Sequence, residues 1–396
     1  MFLRPDLHGE PVHYFCGHSL GLQPVAAKAY IDFELGKWSG QAVEGHFEEP
    51  NPWLHYHKFL KPGLAYLCGA EETEVVAYGS LTSNMHNLFA TFYAPTKMRN
   101  KILAEDIGFP SDTFALQTQV SYHGFDPETS VVYLSHDQNY CFSTDYIIQQ
   151  IEKHKDTLAL IWLSAVNFLS GQVLDIRAIA AVAKRHNIKI GLDLAHAIGN
   201  IPLQLHDWEI DFAVWCSYKY LNAGPGATGG YFVHEKHFPQ PATHNSQPET
   251  ILGGWWGHEE KTRFQTNLTF RPINNADAWQ HSNANVLSLA ALRSSLDIFL
   301  TRDLKELTEE RKVQTTKAFE ILKEVKKLKI LTPDQECGNM IAVQTTDQNK
   351  DVIAKLKARN IWVDWREPGI MRFSYCPLYN NALEWQQFIG SLHEML

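Results

Sequence analysis

Apolar positions along the chain are most regular between residues 158 and 234. Leu158-Ala-Leu-Ile-Trp-Leu163 is an unbroken apolar run, which predicts a strand buried on both faces. Beyond Ser170-Gly171, the residues Ile176, Ile179, Ala180 and Ala183 recur every three or four positions and predict a helix over 176–187. Ile188–Asp193 and Phe212–Cys216 predict two more strands, and Gly229–His234 another after a glycine-rich turn. Strand, helix, strand at this spacing is a βαβ unit, hence a parallel sheet covered by helices. The pattern then changes. From 282 to about 331 it is helical and charge-rich, with Val286, Leu289, Leu292, Leu296 and Phe299 on one stripe. Short strands follow at Met340–Thr345, Ile361–Trp365 and Met371–Tyr375, with a helix near 350–360. These elements predict a smaller α+β domain over 281–396 and a larger one over 46–280. Residues 1–45, punctuated by Gly and Pro, are expected to pack on the smaller domain.

Composition narrows the classes. A chain of 396 residues that is 44% apolar can bury a large core, and is long enough for about two domains. With 20% charged residues and 12% aromatics it is not a disordered chain. A net charge of −9, without a basic block, argues against nucleic acid or an anionic membrane as partner. No window approaches the roughly 18–20 apolar residues of a membrane span. The start has no secretory pattern, so a soluble cytoplasmic protein is expected. The 6 cysteines form no Cys-x-x-Cys pair and are expected as reduced thiols. His-Glu-x-x-His is absent among the 19 histidines, and no metal is expected.

Functional groups in open parallel sheets gather at the carboxyl ends of strands. Asp193 closes one predicted strand, with His196 just after it, and Lys219 follows another. A carboxylate and an amine at neighbouring strand ends suit pyridoxal phosphate: the amine holds the aldehyde and the acid keeps the pyridine nitrogen protonated. The same pair also fits a buried ion pair. Leu81-Thr82-Ser83-Asn84, after Val75–Tyr78 and Gly79, offers hydroxyls and free amides at a helix start. That suits a phosphate, and equally an ordinary helix cap. Phe109-Pro110-Ser111-Asp112 offers a ring to stack on a flat cofactor, held by a proline turn.

Together these segments resemble the kynureninases. The resemblance rests on Asp193-Leu-Ala-His-Ala-Ile-Gly-Asn200, Leu205-His-Asp-Trp208 and Phe212–Gly224, and spans nearly the whole chain. Gly17-His-Ser-Leu-Gly21, Glu44-Gly-His46 with Trp53, Gly254-Trp-Trp-Gly-His258, Thr262-Arg-Phe264 and Pro377-Leu-Tyr-Asn380 match as well. It implies an α/β protein of the aminotransferase-like fold type I, with a mostly parallel seven-stranded sheet between helices and a smaller α+β domain. It also implies a homodimer with active sites at the subunit interface. The implied activity is pyridoxal phosphate-dependent hydrolysis of L-kynurenine, or 3-hydroxy-L-kynurenine, to anthranilate, or 3-hydroxyanthranilate, and L-alanine in tryptophan degradation.

By resemblance, Lys219 binds the coenzyme, Asp193 faces the pyridine nitrogen with His196 beside it, and Phe109 stacks on the ring. Pro110, Ser111 and Asp112 line the same loop. Leu81, Thr82, Tyr218 and Trp255 hold the phosphate end, and Ser164 faces the cofactor. Ser282 and Asn283 reach cofactor or substrate across the dimer, His46 meets the aromatic end of the substrate, and Arg372 clamps its carboxylate. Tyr218 is the expected proton donor to the carbon released by cleavage. The chain departs from the family at His18, where an asparagine is usual, and at Ala284-Asn285, where two prolines are usual. Another fold type I enzyme, a cysteine desulfurase-like lyase or an aminotransferase, shares the Asp/Lys pair; a desulfurase would need a mobile cysteine, with Cys337 and Cys376 the candidates.

Overall fold

Apolar runs become the central strands of one sheet. The computed structural model describes residues 1–7, 9–239, 250–266, 269–345 and 350–396. Its seven-stranded sheet has the order Val75–Ala77, Gly230–Val233, Phe212–Trp215, Lys189–Asp193, Leu158–Ser164, Lys101–Glu105, Val131–Leu134. Every neighbouring pair from Phe212–Trp215 to Val131–Leu134 is parallel. Gly230–Val233 alone runs the other way, antiparallel to both of its neighbours. Strands in the middle of such a sheet have helices over both faces, which is why Leu158–Ser164 reads as an unbroken apolar run.

The helix expected over 176–187 spans Ile176–Arg185. Asp175 caps it by accepting from the Ala178 amide at 3.0 Å, and Lys184 and Arg185 lie in its last turn, where the helix dipole favours cations. Asn187 then takes a positive φ of 53°, which ends the helix. Ile176, Ile179, Ala180 and Ala183 are buried on one face of the sheet. A second cluster, with Leu88, Phe89, Trp162 and Phe212, fills the other face.

The charge-rich stretch after 282 forms two helices, Val286–Leu300 and Leu304–Leu322, the second capped by Asp303. The stripe Leu289, Leu292, Leu296 and Phe299 packs with Leu60 and Leu64 in the core of the large sheet, although the pattern placed this helix beyond 280 with the smaller unit. A four-stranded antiparallel sheet follows, in the order Leu328–Ile330, Met340–Thr345, Ile370–Ser374, Asp364–Arg366. The strand expected over Ile361–Trp365 is two strands. Ile361–Trp362 pairs in parallel with His13–Tyr14, while Asp364–Arg366 turns to pair with Ile370–Ser374. Phe15 joins the core of this second sheet, whereas helix Ala27–Gln41 packs on Val286–Leu300. No helix among the described residues is long and apolar enough to cross a membrane. All six cysteines are free.

Candidate active site

Three strands deliver two acids and a hydroxyl to one edge. Lys101–Glu105, Leu158–Ser164 and Lys189–Asp193 are parallel neighbours, so Glu105, Ser164 and Asp193 come together at their carboxyl ends. Lys219 arrives from the turn after Phe212–Trp215. Its Nζ lies 2.9 Å from His196 Nε2 and 5.9 Å from the centroid of the Phe109 ring. An ammonium only donates, so Nε2 accepts and the imidazole proton sits on Nδ1, which has no partner among the described residues. Burial first, and Lys219 second, hold His196 far below the usual histidine range, so the ring is neutral.

Asp193 accepts the Ala195 amide at 2.7 Å. Burial raises its pKa and the Lys219 charge opposes that rise. Asp112, in the first turn of helix Pro110–Tyr122, lies against it and accepts from Trp162 Nε1 at 3.1 Å. Burial and the charge of Asp193 push the Asp112 carboxyl well up, so the two acids share one proton. Among the described residues, Ser217 Oγ and His196 Nδ1 are buried without partners.

The segment expected as a proline turn is a helix start: Phe109 is its N-cap and Pro110 opens it, where a missing N–H costs no bond. This leaves the Phe109 ring 46% exposed on the site side of the turn, in edge contact with Phe168. Helix Leu81–Phe92 begins beside it. Ser80 caps the Ser83 amide, leaving the amides of Leu81 and Thr82 uncapped, and Thr82 Oγ1 meets Ser111 Oγ at 2.6 Å. Unpartnered polar atoms, an acid pair, an exposed ring and a helix start with hydroxyls fit a flat cationic heterocycle bearing a phosphate.

Two backbone contacts fix the lysine turn. The Gly21 amide donates to the Tyr218 carbonyl at 2.8 Å, and a Cβ on Gly21 would lie 2.2 Å from the Lys219 carbonyl. Only glycine permits that approach. The Tyr218 phenol is held far above its usual range by burial, then by Cys216, and stays protonated.

Comparison with known proteins agrees with this geometry. Residues 34–365 match the family profile Aminotransferase class-V. A kynureninase of Flavobacterium psychrophilum is 39% identical over 386 residues, covering 96% of this chain and 89% of the relative. One of Myxococcus xanthus is 40% identical over 393 residues, 98% of this chain and 91% of the relative. The chain belongs to the kynureninase family. Among solved structures, the cystine C–S lyase C-DES in complex with cysteine persulfide superposes with a TM-score of 0.79 at 16% identity, covering 97% of both chains. At that identity it shows the fold, the aminotransferase-like fold type I.

Within this kynureninase-family chain, the expected residues fall into three groups. Asp193, His196, Lys219, Tyr218, Phe109, Pro110, Ser111, Asp112, Leu81, Thr82 and Ser164 gather at the carboxyl edge. Ser164 spends its hydroxyl on Glu105, at 2.6 Å. Arg372 forms a second group: it is 1% exposed and held by Asp364 at 2.6 Å, by Ser19 at 3.4 Å and by the Phe168 carbonyl, while its Nε has no partner among the described residues. His18 joins it, with Nδ1 2.9 Å from Ser374 Oγ and Nε2 3.5 Å from Asp364. Burial pushes His18 down to about 4.

The third group stands apart in a single chain. Ser282 and Asn283 are exposed. Trp255 is 46% exposed, donates to the Arg263 carbonyl at 2.8 Å and packs on Trp256 and Phe264. His46 contacts the Val43 carbonyl and the edge of Trp53. Among the described residues, none of the four side chains hydrogen-bonds to the Lys219 cluster. Sequence reasoning passed over Glu105 and Asp364, and had His18 only as a departure from the family. Glu105 carried the same signal as Asp193, an acid closing an apolar run.

Proposed function

We propose that this chain is a hydrolase that cleaves the Cβ–Cγ bond of L-kynurenine, giving anthranilate and L-alanine, as a cytoplasmic homodimer that uses pyridoxal phosphate at Lys219. Full-length similarity to proteins named kynureninase carries this reading, and the Asp193–His196–Lys219 cluster supports it. When bound, pyridoxal phosphate supplies an electron sink for the amino-acid carbon. The Lys219 amine holds the coenzyme and, once freed by substrate, moves the α-proton as base and then as acid. Asp193 keeps the ring nitrogen cationic, with Asp112 behind it. The uncapped amides of Leu81 and Thr82 and the hydroxyl of Ser111 receive the phosphate, and Phe109 covers the ring. Tyr218, still a phenol at neutral pH, hands its proton to the β-carbon. Arg372 takes the substrate carboxylate, and His46 meets the aromatic end. Asn283, Ser282 and Trp255 complete the site of the partner subunit, which accounts for their exposure in one chain.

A persulfide-forming lyase fits less well. Cys376 is 3% exposed, and burial pushes both the Cys337 and Cys376 thiols up to about 12, far from the thiolate such chemistry needs. Adding L-kynurenine to the coenzyme-loaded protein is expected to produce anthranilate fluorescence, and 3-hydroxykynurenine in parallel sets the preference. Lys219→Ala is expected to lose both turnover and the visible absorbance of the bound coenzyme. Absence of anthranilate from the loaded wild-type protein overturns the proposal.

A further inference from the structure

We propose that Glu74, His206 and His234 form a site for a divalent cation of the zinc class, on the edge of the large sheet opposite Lys219. Glu74 precedes strand Val75–Ala77, and His234 follows the reversed strand Gly230–Val233. Val75 pairs with Phe232 and Val233 with Phe212, so both residues lie at the amino edge of the parallel strands. His206 comes from the turn leading into Phe212–Trp215. Three segments remote in sequence therefore converge with their candidate donor atoms within 4.8 Å of one another.

The spacing suits a metal. Glu74 Oε1 lies 3.0 Å from His206 Nδ1 and 3.6 Å from His234 Nδ1. Tetrahedral zinc with bonds of about 2.0–2.1 Å sets its ligand atoms about 3.4 Å apart. The two imidazoles stack with centroids 5.0 Å apart and planes at 14°.

The hydrogen bonds around the cluster resemble an outer ligand shell. His234 Nε2 lies 3.3 Å from the His206 carbonyl, which accepts only a ring N–H, so the lone pair of His234 is on Nδ1. That lone pair accepts from the Lys236 amide at 3.2 Å and faces a Glu74 carboxylate oxygen at 3.6 Å, so a cation bound there takes the place of the amide contact. A carbonyl fixing the far nitrogen of a histidine is a common support for metal ligation. Glu74 is fully buried, and its oxygens are oriented by the amides of Glu235 at 2.9 Å and Glu71 at 3.0 Å. His206 lines an open cleft with Glu71, Gln204 and Asp207, leaving the fourth position to water. His206 Nδ1 now donates to Glu74, so cation entry displaces that proton from Nδ1, and a neutral ring then carries it on Nε2. The bound cation would clamp the edge strand to the rest of the sheet and take no part in chemistry at Lys219.

The test uses chelator-dialysed, coenzyme-loaded protein and Zn²⁺ alone, with a chromogenic chelator as competitor. Wild-type protein is expected to take up one tightly held zinc per chain and to unfold at a higher temperature with it. Cobalt in its place is expected to give the intense visible bands of a tetrahedral site. His206→Ala, at a partly exposed position, is expected to keep its fold and its turnover while zinc affinity falls at least about tenfold. Wild-type protein that takes up no zinc, or a variant that takes up as much, overturns the site.

Discussion

Replacing Asp112 by Asn tests the proton shared with Asp193. Asp112 is 4% exposed, and burial together with the Asp193 charge holds its pKa well above that of a free aspartate. In the unfolded chain it ionises near about 3.9. In the folded, coenzyme-free protein it keeps its proton up to the raised value. Across that window the unfolded chain binds one proton fewer, so stability falls with rising pH by about 1.4 kcal/mol per unit. Asparagine has the same shape, can still accept from Trp162, and never ionises. The variant is therefore expected to lack this fall, so its stability relative to the wild type climbs as the pH rises above about 3.9. Urea unfolding of both coenzyme-free proteins, at steps between about pH 4.5 and 6.5, reads this directly. Parallel stability curves would refute the shared proton and leave two ionised acids side by side.

Two further outcomes are expected. Tyr218→Phe removes the phenol without touching the coenzyme's attachment, so turnover should slow by about 10²-fold or more while the visible absorbance stays; unchanged turnover removes Tyr218 from proton transfer. Asp364→Asn leaves the buried Arg372 guanidinium without its counter-charge, and a urea titration should show a loss of about 3–5 kcal/mol; a loss under about 1 kcal/mol would mean the pair is effectively solvated.

The sheet and its acid–amine pair were legible in the sequence because burial on both faces leaves unbroken apolar runs, and Leu158–Ser164 is one. Asp193 and Lys219 stood out as polar groups at the ends of such runs. The reversal of Gly230–Val233 was not legible: a strand buried on both faces carries the same pattern in either direction. Glu105 was passed over although Lys101–Glu105 has the length and the leading lysine of Lys189–Asp193; what it lacked was a nearby amine to suggest a pair. His18 meets Ser374, 356 residues away, and Asp364 meets Arg372 across neighbouring strands of the second sheet; a local pattern does not encode such pairings. The helix over 286–300 showed its stripe plainly, but a stripe does not say which core receives it.

Reversing that one strand has a topological consequence. A parallel successor to Phe212–Trp215 would have to carry the chain back across the sheet before re-entering it. Because Gly230–Val233 begins where Phe212–Trp215 ends, residues 216–229 form an arc that never leaves the rim. Both feet of the arc are rooted in solvent-free strands, and Lys219 rides near the first. Deuterium should enter the bonded amides of Asn222, Ala223, Thr228 and Gly229 slowly and the exposed turn at Pro225-Gly226 quickly. The reactive amine is aimed by a bridge fixed at both abutments, not by a hinged flap.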